Sequence, residues 1–270
     1  MAIRKTQFVN AMRAGDAVED VFALAEKTRM HKKDGDAYLN VTLSDKTGRI
    51  KGVVWDNVES ILSGISACDF VNVTGRVSDY RGKLQLVLKA MSPHPTDGID
   101  TADFLPTTPR NIDAMFQRLQ QLTDSVKTDH LNVLLEAFWN DAAFVEQFKA
   151  APAAMKMHHA YIGGLLEHSL SMALLVESIA GHYGGLDRDL LLTGAVLHDI
   201  GKIQEFEYQY RIAYSTQGKL MNHIVIGLKV LDEKISQLDG AADDDYLLLR
   251  HMVVSHHGSR EFGSPEPPKT

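Results

Sequence analysis

A chain of 270 residues, 44% hydrophobic and 23% charged, has material for one large or two ordinary globular domains. No apolar run is long enough to span a bilayer, and MAIRKTQFVN lacks the apolar centre of a signal peptide. The single Cys68 rules out an internal disulfide and any thiolate-rich metal site, so the expected location is cytoplasmic, with no membrane partner. The net charge of −7 is uneven: residues 1–95 hold 14 Lys/Arg against 11 Asp/Glu, residues 96–270 hold 14 against 24, and ten of the twelve histidines follow residue 95. A mildly basic front joined to an acidic, histidine-rich back reads as two modules, the second suited to metal binding.

The front reads as β. After a long first strand around Ala17–Thr28, Leu39, Val41 and Leu43 alternate with Tyr38, Asn40 and Thr42, the period of a half-buried strand. A turn at Asp45-Lys46-Thr47-Gly48 leads to a third strand, Arg49 to Trp55, and a short helix is expected near Asn57–Gly64. Val71, Val73 and Val77 make a fourth strand with a bend at Gly75; Leu84, Leu86 and Leu88 make the fifth. Five short strands in this order predict a small closed barrel of the OB type over residues 1–92. SPHPTDGIDTADFLPTTPR holds four of the eight prolines, so residues 93–110 read as a linker, and from Asn111 to Thr270 the pattern is helical. The expected fold is therefore two-domain, all-β followed by all-α.

Histidines punctuate the helices. Leu165, His168, Met172, Leu175 and Ile179 step by three and four, which predicts one apolar face with His168 on it. In LDRDLLLTGAVLHDIG, Asp187 is the expected N-cap, Leu191, Ala195 and His198 share a face, Asp199 follows, and Gly201 is expected to stop the helix. KLMNHIVIGLKVL aligns His223 with Ile226 and Val230; DYLLLRHMVVSHHG aligns Leu249, Val253 and His256, with His257 beside it and Gly258 as the stop. One histidine on an apolar face is most often a core residue bonded to a carbonyl. Four helices each aiming one inward, with a carboxylate among them, is the donor set of a divalent metal.

The order His168, His198-Asp199 with Gly-Lys, His223 and His256-His257 resembles the HD-domain metal-dependent phosphohydrolases. HHAYIGGLLEHSLSM, LHDIGK and SHHGSREFGSPEPP are more specifically similar to the YhaM-like 3′-to-5′ exoribonucleases, which place an OB fold ahead of an HD domain. The resemblance implies a first metal on His168, His198 and Asp199. It implies a second, bridged by Asp199, on His223 and His256, with His257 a ligand or a phosphate contact and Lys202 a cation for the scissile phosphate. Two divalent ions are expected, manganese first, with iron, nickel, cobalt, zinc or magnesium as the other candidates. HD domains add a last aspartate from a later helix, and no aspartate follows His257 here. The C-terminal end of the domain is therefore expected to be missing, with weakened metal affinity and reduced activity.

An OB barrel binds single strands with an aromatic platform in a positive groove. With Leu39, Val41 and Leu43 inward, Tyr38 faces out, and Trp55, Arg76, Tyr80, Arg81 and Lys83 are its expected flanks. The resulting reading is a metal-dependent 3′-to-5′ exonuclease on single-stranded RNA, with DNA as a second substrate and nucleoside 5′-monophosphates as products. Homo-oligomerisation is open. Two other readings stand beside it: an HD phosphodiesterase for a nucleotide or cyclic dinucleotide, and a nucleic-acid-binding protein with an incomplete HD domain.

Overall fold

A computed structural model describes residues 5–32, 34–65, 70–155, 158–238 and 244–269; Cys68 lies outside them. The chain forms two compact units, one reaching to Pro106 and taking in Gln209–Arg211, the other made of Thr107–Tyr208 and Ile212–Thr270.

In the first unit β1 (Ala17–His31), β2 (Ala37–Asp45), β3 (Gly48–Val54), β4 (Phe70–Tyr80) and β5 (Lys83–His94) close into a barrel of order β1-β2-β3-β5-β4. Only β3 and β5 pair in parallel; the other ladders are antiparallel. Closure leaves no free sheet edge. The alternation read from β2 holds, with Leu39, Val41 and Leu43 buried among Phe22, Val54, Val71, Val77 and Leu86. Each fully buried aliphatic of this kind contributes about 1.5–3 kcal/mol. The bend at Gly75 is a bulge: the β4–β5 register shifts between Thr74 and Gly75, and a Cβ there would lie 2.5 Å from the Val87 carbonyl oxygen. The short helix is present as α1 (Val58–Gly64), which buries Val58.

One feature of the barrel is illegible in its sequence pattern. Lys5 is buried, donates to the Val21 carbonyl at 2.6 Å, and sits 3.3 Å above the Phe22 ring with Asp20 and Asp45 each 3.9 Å away. Burial pushes its pKa down to about 8, against the opposing pull of the two aspartates. Beyond β5, a single 3-10 turn (Thr101–Asp103) brings Phe104 edge-on to Phe70 at 4.7 Å.

The second unit is helical: α2 (Ile112–Thr123), α3 (Asp129–Trp139), α4 (Ala142–Ala150), α5 (Gly164–His182), α6 (Arg188–Leu197), α7 (Lys202–Glu205), α8 (Thr216–Ile235) and α9 (Asp244–Ser255). A two-residue β-hairpin, β6 (Phe206–Glu207) with β7 (Ala213–Tyr214), separates α7 from α8. Side-chain caps set several starts: Asn111, Asp141, Asp187 and Ser215 accept from the backbone N–H three residues on. The core gathers Leu119, Leu131, Leu134, Phe138, Leu165, Leu166, Leu192, Val196 and Leu249. Among the described residues no helix is long and apolar enough to cross a membrane.

Three expectations are corrected. The buried face of α5 is Leu165, Leu166, Ser169, Leu170 and Ala173, whereas Leu175 and Ile179 are 50% and 40% exposed, so His168 lies at the edge of the core-facing stripe. Gly201 is not a left-handed helix stop; its φ is −62°, and it is glycine because a Cβ would lie 2.0 Å from the His223 carbonyl oxygen and 2.5 Å from Gly227 N. The helix carrying His223 is broken at Asn222, whose φ of 65° and ψ of 153° are not helical.

Candidate metal centre and nucleic-acid face

His168 lies near the start of α5, His198 caps the end of α6 with Asp199 next, Lys202 opens α7, His223 follows the break in α8, and His256 and His257 lie just past α9. The fold brings them into two adjoining trios, His168–His198–Asp199 and His223–His256–His257. Asp199 stands between them. Its Oδ2 is 3.3 Å from His168 Nε2 and 3.1 Å from His198 Nε2, and its Oδ1 is 3.6 Å from the Nε2 of both His223 and His256.

The far nitrogen of each ring explains what the near one can do. Nδ1 of His198 lies 2.9 Å from the Ala195 carbonyl, that of His256 2.7 Å from Val253, and that of His257 2.6 Å from Phe262. Nδ1 of His223 lies 3.0 Å from Glu205 Oε1. Each Nδ1 meets an acceptor and must carry the hydrogen, so each neutral ring presents a lone pair on Nε2. Yet Nε2 of His223 is 3.2 Å from that of His257. Lone pairs so close repel unless a cation sits between them, and nitrogens bound at about 2.1 Å to one ion do end up roughly 3 Å apart. Asp199 Oδ1 and His256 Nε2 are also buried without a hydrogen-bond partner. The donor set fits divalent ions.

Charge supports this. Burial would raise the Asp199 pKa, but its contacts with His198 and His168 and the Lys202 ammonium hold it well below the usual carboxylate range. Burial pushes His256 down to about 4, so its ring stays neutral and able to ligate. Lys202 donates to Asp199 Oδ2 at 2.7 Å.

The chain is similar in sequence to known families and proteins. Sequence models of two domain families match, the HD domain over residues 165–269 and the OB-fold nucleic acid binding domain over residues 25–93. A third, the TraI_2 helicase model, matches residues 98–183. The 3′-5′ exoribonuclease YhaM of Listeria innocua is 31% identical over 255 residues, 94% of this chain and 80% of its own. That of Bacillus velezensis is 32% identical with the same coverage, and that of Bacillus subtilis is 32% identical over 257 residues. The chain belongs to the YhaM family. Among solved structures, the second OB-fold domain of replication protein A from Methanococcus maripaludis is 17% identical with a TM-score of 0.28, covering 34% of this chain and 96% of its own.

In this YhaM-family chain, periodicity gave no hint of Glu205, which is buried and accepts from both His223 N and His223 Nδ1 at 3.0 Å. It lies three residues past Lys202, and only the approach of α7 to α8 makes it a neighbour of the centre. Glu261 and Glu266, the carboxylates after His257, join neither trio among the described residues; Glu266 pairs with Arg260 and Lys269.

The six barrel candidates divide in two. Tyr38 and Trp55 stand together, ring centroids 5.0 Å apart and tilted by 30°, with Trp55 42% exposed and Lys32 Nζ 5.6 Å from its ring. Tyr80, Arg81 and Lys83 form the β4–β5 turn, where the Arg81 guanidinium lies 5.3 Å from the Tyr80 ring; Arg76 is exposed in mid-β4. Lys51 pairs with Gln85 on the β3–β5 ladder, so Lys83 and Trp55 are six residues apart along it. At the usual strand rise that is about 20 Å. Between them a groove of about 270 Å³ is lined by Glu26, Thr28, Asn40, Thr42, Lys51 and Gln85, a continuous outward row across four strands. Lys32 and Lys51 were not singled out from sequence, because a lone exposed lysine carries no pattern.

Proposed function

We propose that this chain is a metal-dependent 3′-to-5′ exonuclease that hydrolyses single-stranded RNA to nucleoside 5′-monophosphates. The observation that carries the reading is Asp199, one oxygen of which faces His168 and His198 and the other His223 and His256, in a chain of the YhaM exoribonuclease family. His168, His198 and Asp199 would hold one divalent ion, and Asp199, His223, His256 and His257 a second, with manganese the first candidate. When bound, such a pair supplies Lewis acidity to a phosphodiester and lowers the pKa of water to near neutrality.

The protein's own groups prepare that chemistry. Asp199 is kept ionised by its neighbours and so would be available as a carboxylate ligand at any working pH. Glu205 fixes the His223 ring with its lone pair forward, as backbone carbonyls do for His198, His256 and His257. The Lys202 ammonium, on the Asp199 oxygen that faces His168 and His198, would serve as a fixed cation for a non-bridging phosphate oxygen. On the barrel, Tyr38 and Trp55 offer stacking faces that any base satisfies, and Lys32 and Lys51 offer backbone charge. Sequence-blind stacking suits an enzyme that removes every residue in turn.

The test is a time course on 5′-labelled single-stranded RNA with Mn²⁺. The expected result is a ladder that shortens from the 3′ end and disappears in His198→Ala. A wild-type chain that binds the RNA but leaves its length unchanged overturns the reading.

A further inference from the structure

The segment leading into α5 carries a chain of polar groups that the metal centre does not use. Glu167, on the first turn of α5 and buried, is ringed by donors: Thr108 Oγ1 at 2.7 Å, Tyr161 Oη at 3.0 Å and Arg110 Nε at 3.2 Å. Burial opposes its ionisation, but the hydrogen bonds from Thr108 and Tyr161 and the Arg110 charge hold its pKa below the usual value. A carboxylate can only accept, so the Tyr161 hydroxyl commits its hydrogen to Glu167 and keeps its oxygen as an acceptor. Nδ1 of His159 lies 2.9 Å from that oxygen and must therefore carry a hydrogen. In a neutral imidazole the other nitrogen is then a lone pair. Glu167, acting through Tyr161, thus sets the tautomer of His159, whose ring centroid is 5.8 Å from that of His168.

The backbone holds the ring there at some strain. His159 has a left-handed φ of 60°, uncommon for a residue other than glycine. Its carbonyl accepts from Ala153 N at 3.0 Å, and only a glycine at 164 leaves that carbonyl room, since a Cβ would lie 2.0 Å from it. Strained positions of this kind persist where the surroundings over-determine them, and they cluster at functional sites.

A fixed acceptor beside a metal ligand is a place for a hydrogen-bond donor of the substrate. Phosphates offer none. Base amino groups do, but none is shared by all four bases; the 3′-hydroxyl of a chain end is common to RNA and DNA, and a ribonucleotide adds a 2′-hydroxyl beside it. We infer that His159 is a specificity-determining residue whose Nε2 accepts a hydrogen bond from the 2′-hydroxyl of the nucleotide at the metal centre, with Tyr161 and Glu167 as positioning residues. The inference rests on the proposed RNA exonuclease activity and deepens it: the 2′-hydroxyl is what separates RNA from DNA, and a deoxy sugar would leave the acceptor unpaired.

The experiment uses two 5′-labelled oligoribonucleotides that differ only in a 2′-deoxy sugar at the 3′-terminal residue. Single-turnover removal of that residue with Mn²⁺ is timed for the wild type, His159→Phe and Tyr161→Phe. The wild type is expected to favour the ribose end by about tenfold or more, the scale of one lost hydrogen bond. His159→Phe is expected to bring the ratio of the two rates close to one. Tyr161→Phe keeps the ring but frees its tautomer, and is expected to give an intermediate ratio. Wild-type cleavage without sugar preference, or a ratio that survives both substitutions even if both rates fall, overturns this inference alone. Wild-type cleavage of neither oligonucleotide overturns the exonuclease reading and the inference with it.

Discussion

The imidazoles of the centre owe their chemistry to the atoms behind them. Three of the Nδ1 partners are backbone carbonyls, which any sequence supplies; the fourth is the Glu205 side chain, which mutation can remove. Glu205→Gln keeps the volume but leaves the His223 ring without its charged partner. It is expected to weaken Mn²⁺ binding about 10–100-fold by titration calorimetry, the usual cost of losing such an outer contact. A second residue-scale prediction concerns Lys5, whose pKa of about 8 in the folded chain lies below the value of about 10.4 expected when unfolded. Between those two values the unfolded chain keeps a proton that the folded chain has released, so stability rises with pH. Thermal melts from pH 8 to 10.5 are expected to show a gain of up to about 3 kcal/mol in the wild type relative to Lys5→Met, with no such gain below pH 8.

At the scale of elements, the centre depends on how closely α7 and its preceding turn approach α8. Gly201 lets the His198–Lys202 turn press against the His223 carbonyl, and the break at Asn222 frees His223 N to reach Glu205 instead of a helical carbonyl. Asn222 repairs the break by accepting from Ile224 N at 3.0 Å through its own side chain. Gly201→Ala is expected to destabilise the chain by about 1–3 kcal/mol or more in urea, because the obstructing atoms are backbone and cannot rotate away. It should also lower bound metal, by parting Asp199 from His223. Gly181→Ala, in the same unit with nothing within 4 Å of the added Cβ, is the control, expected to be neutral or stabilising by about 0.5–1 kcal/mol.

At the scale of the whole molecule, an acidic catalytic half has to accept a polyanion. The residues to position 95 carry a small positive excess, and the remainder a larger negative one that bound divalent ions would offset locally. Stacking and charge on the barrel can be told apart. Trp55→Ala is expected to weaken single-strand binding by about 1–3 kcal/mol while leaving its salt dependence unchanged. Lys51→Ala is expected to reduce the slope of log K against log salt by about 0.7, the share of one phosphate contact on a single strand. A fluorescence-anisotropy salt series on both variants checks the pair.

Local pattern by itself determined the five strands of the barrel, a bulge or bend at Gly75, the helical second half and the histidines and Asp199 worth watching, because alternation, turn glycines and caps are properties of a few neighbouring residues. Tertiary structure alone decided what required distant segments to meet. It left Leu175 and Ile179 in solvent, because a helical stripe states only which residues share a face and not how much of that face a neighbour covers. It gave Gly201 a packing role in place of a helix stop, turned Nε2 atoms from separate helices toward one carboxylate, and joined Thr108, Tyr161 and Glu167 behind His159. The tautomer of a ring, and hence what it can bind, follows from the atom on its far side, and that atom arrives only when the chain folds.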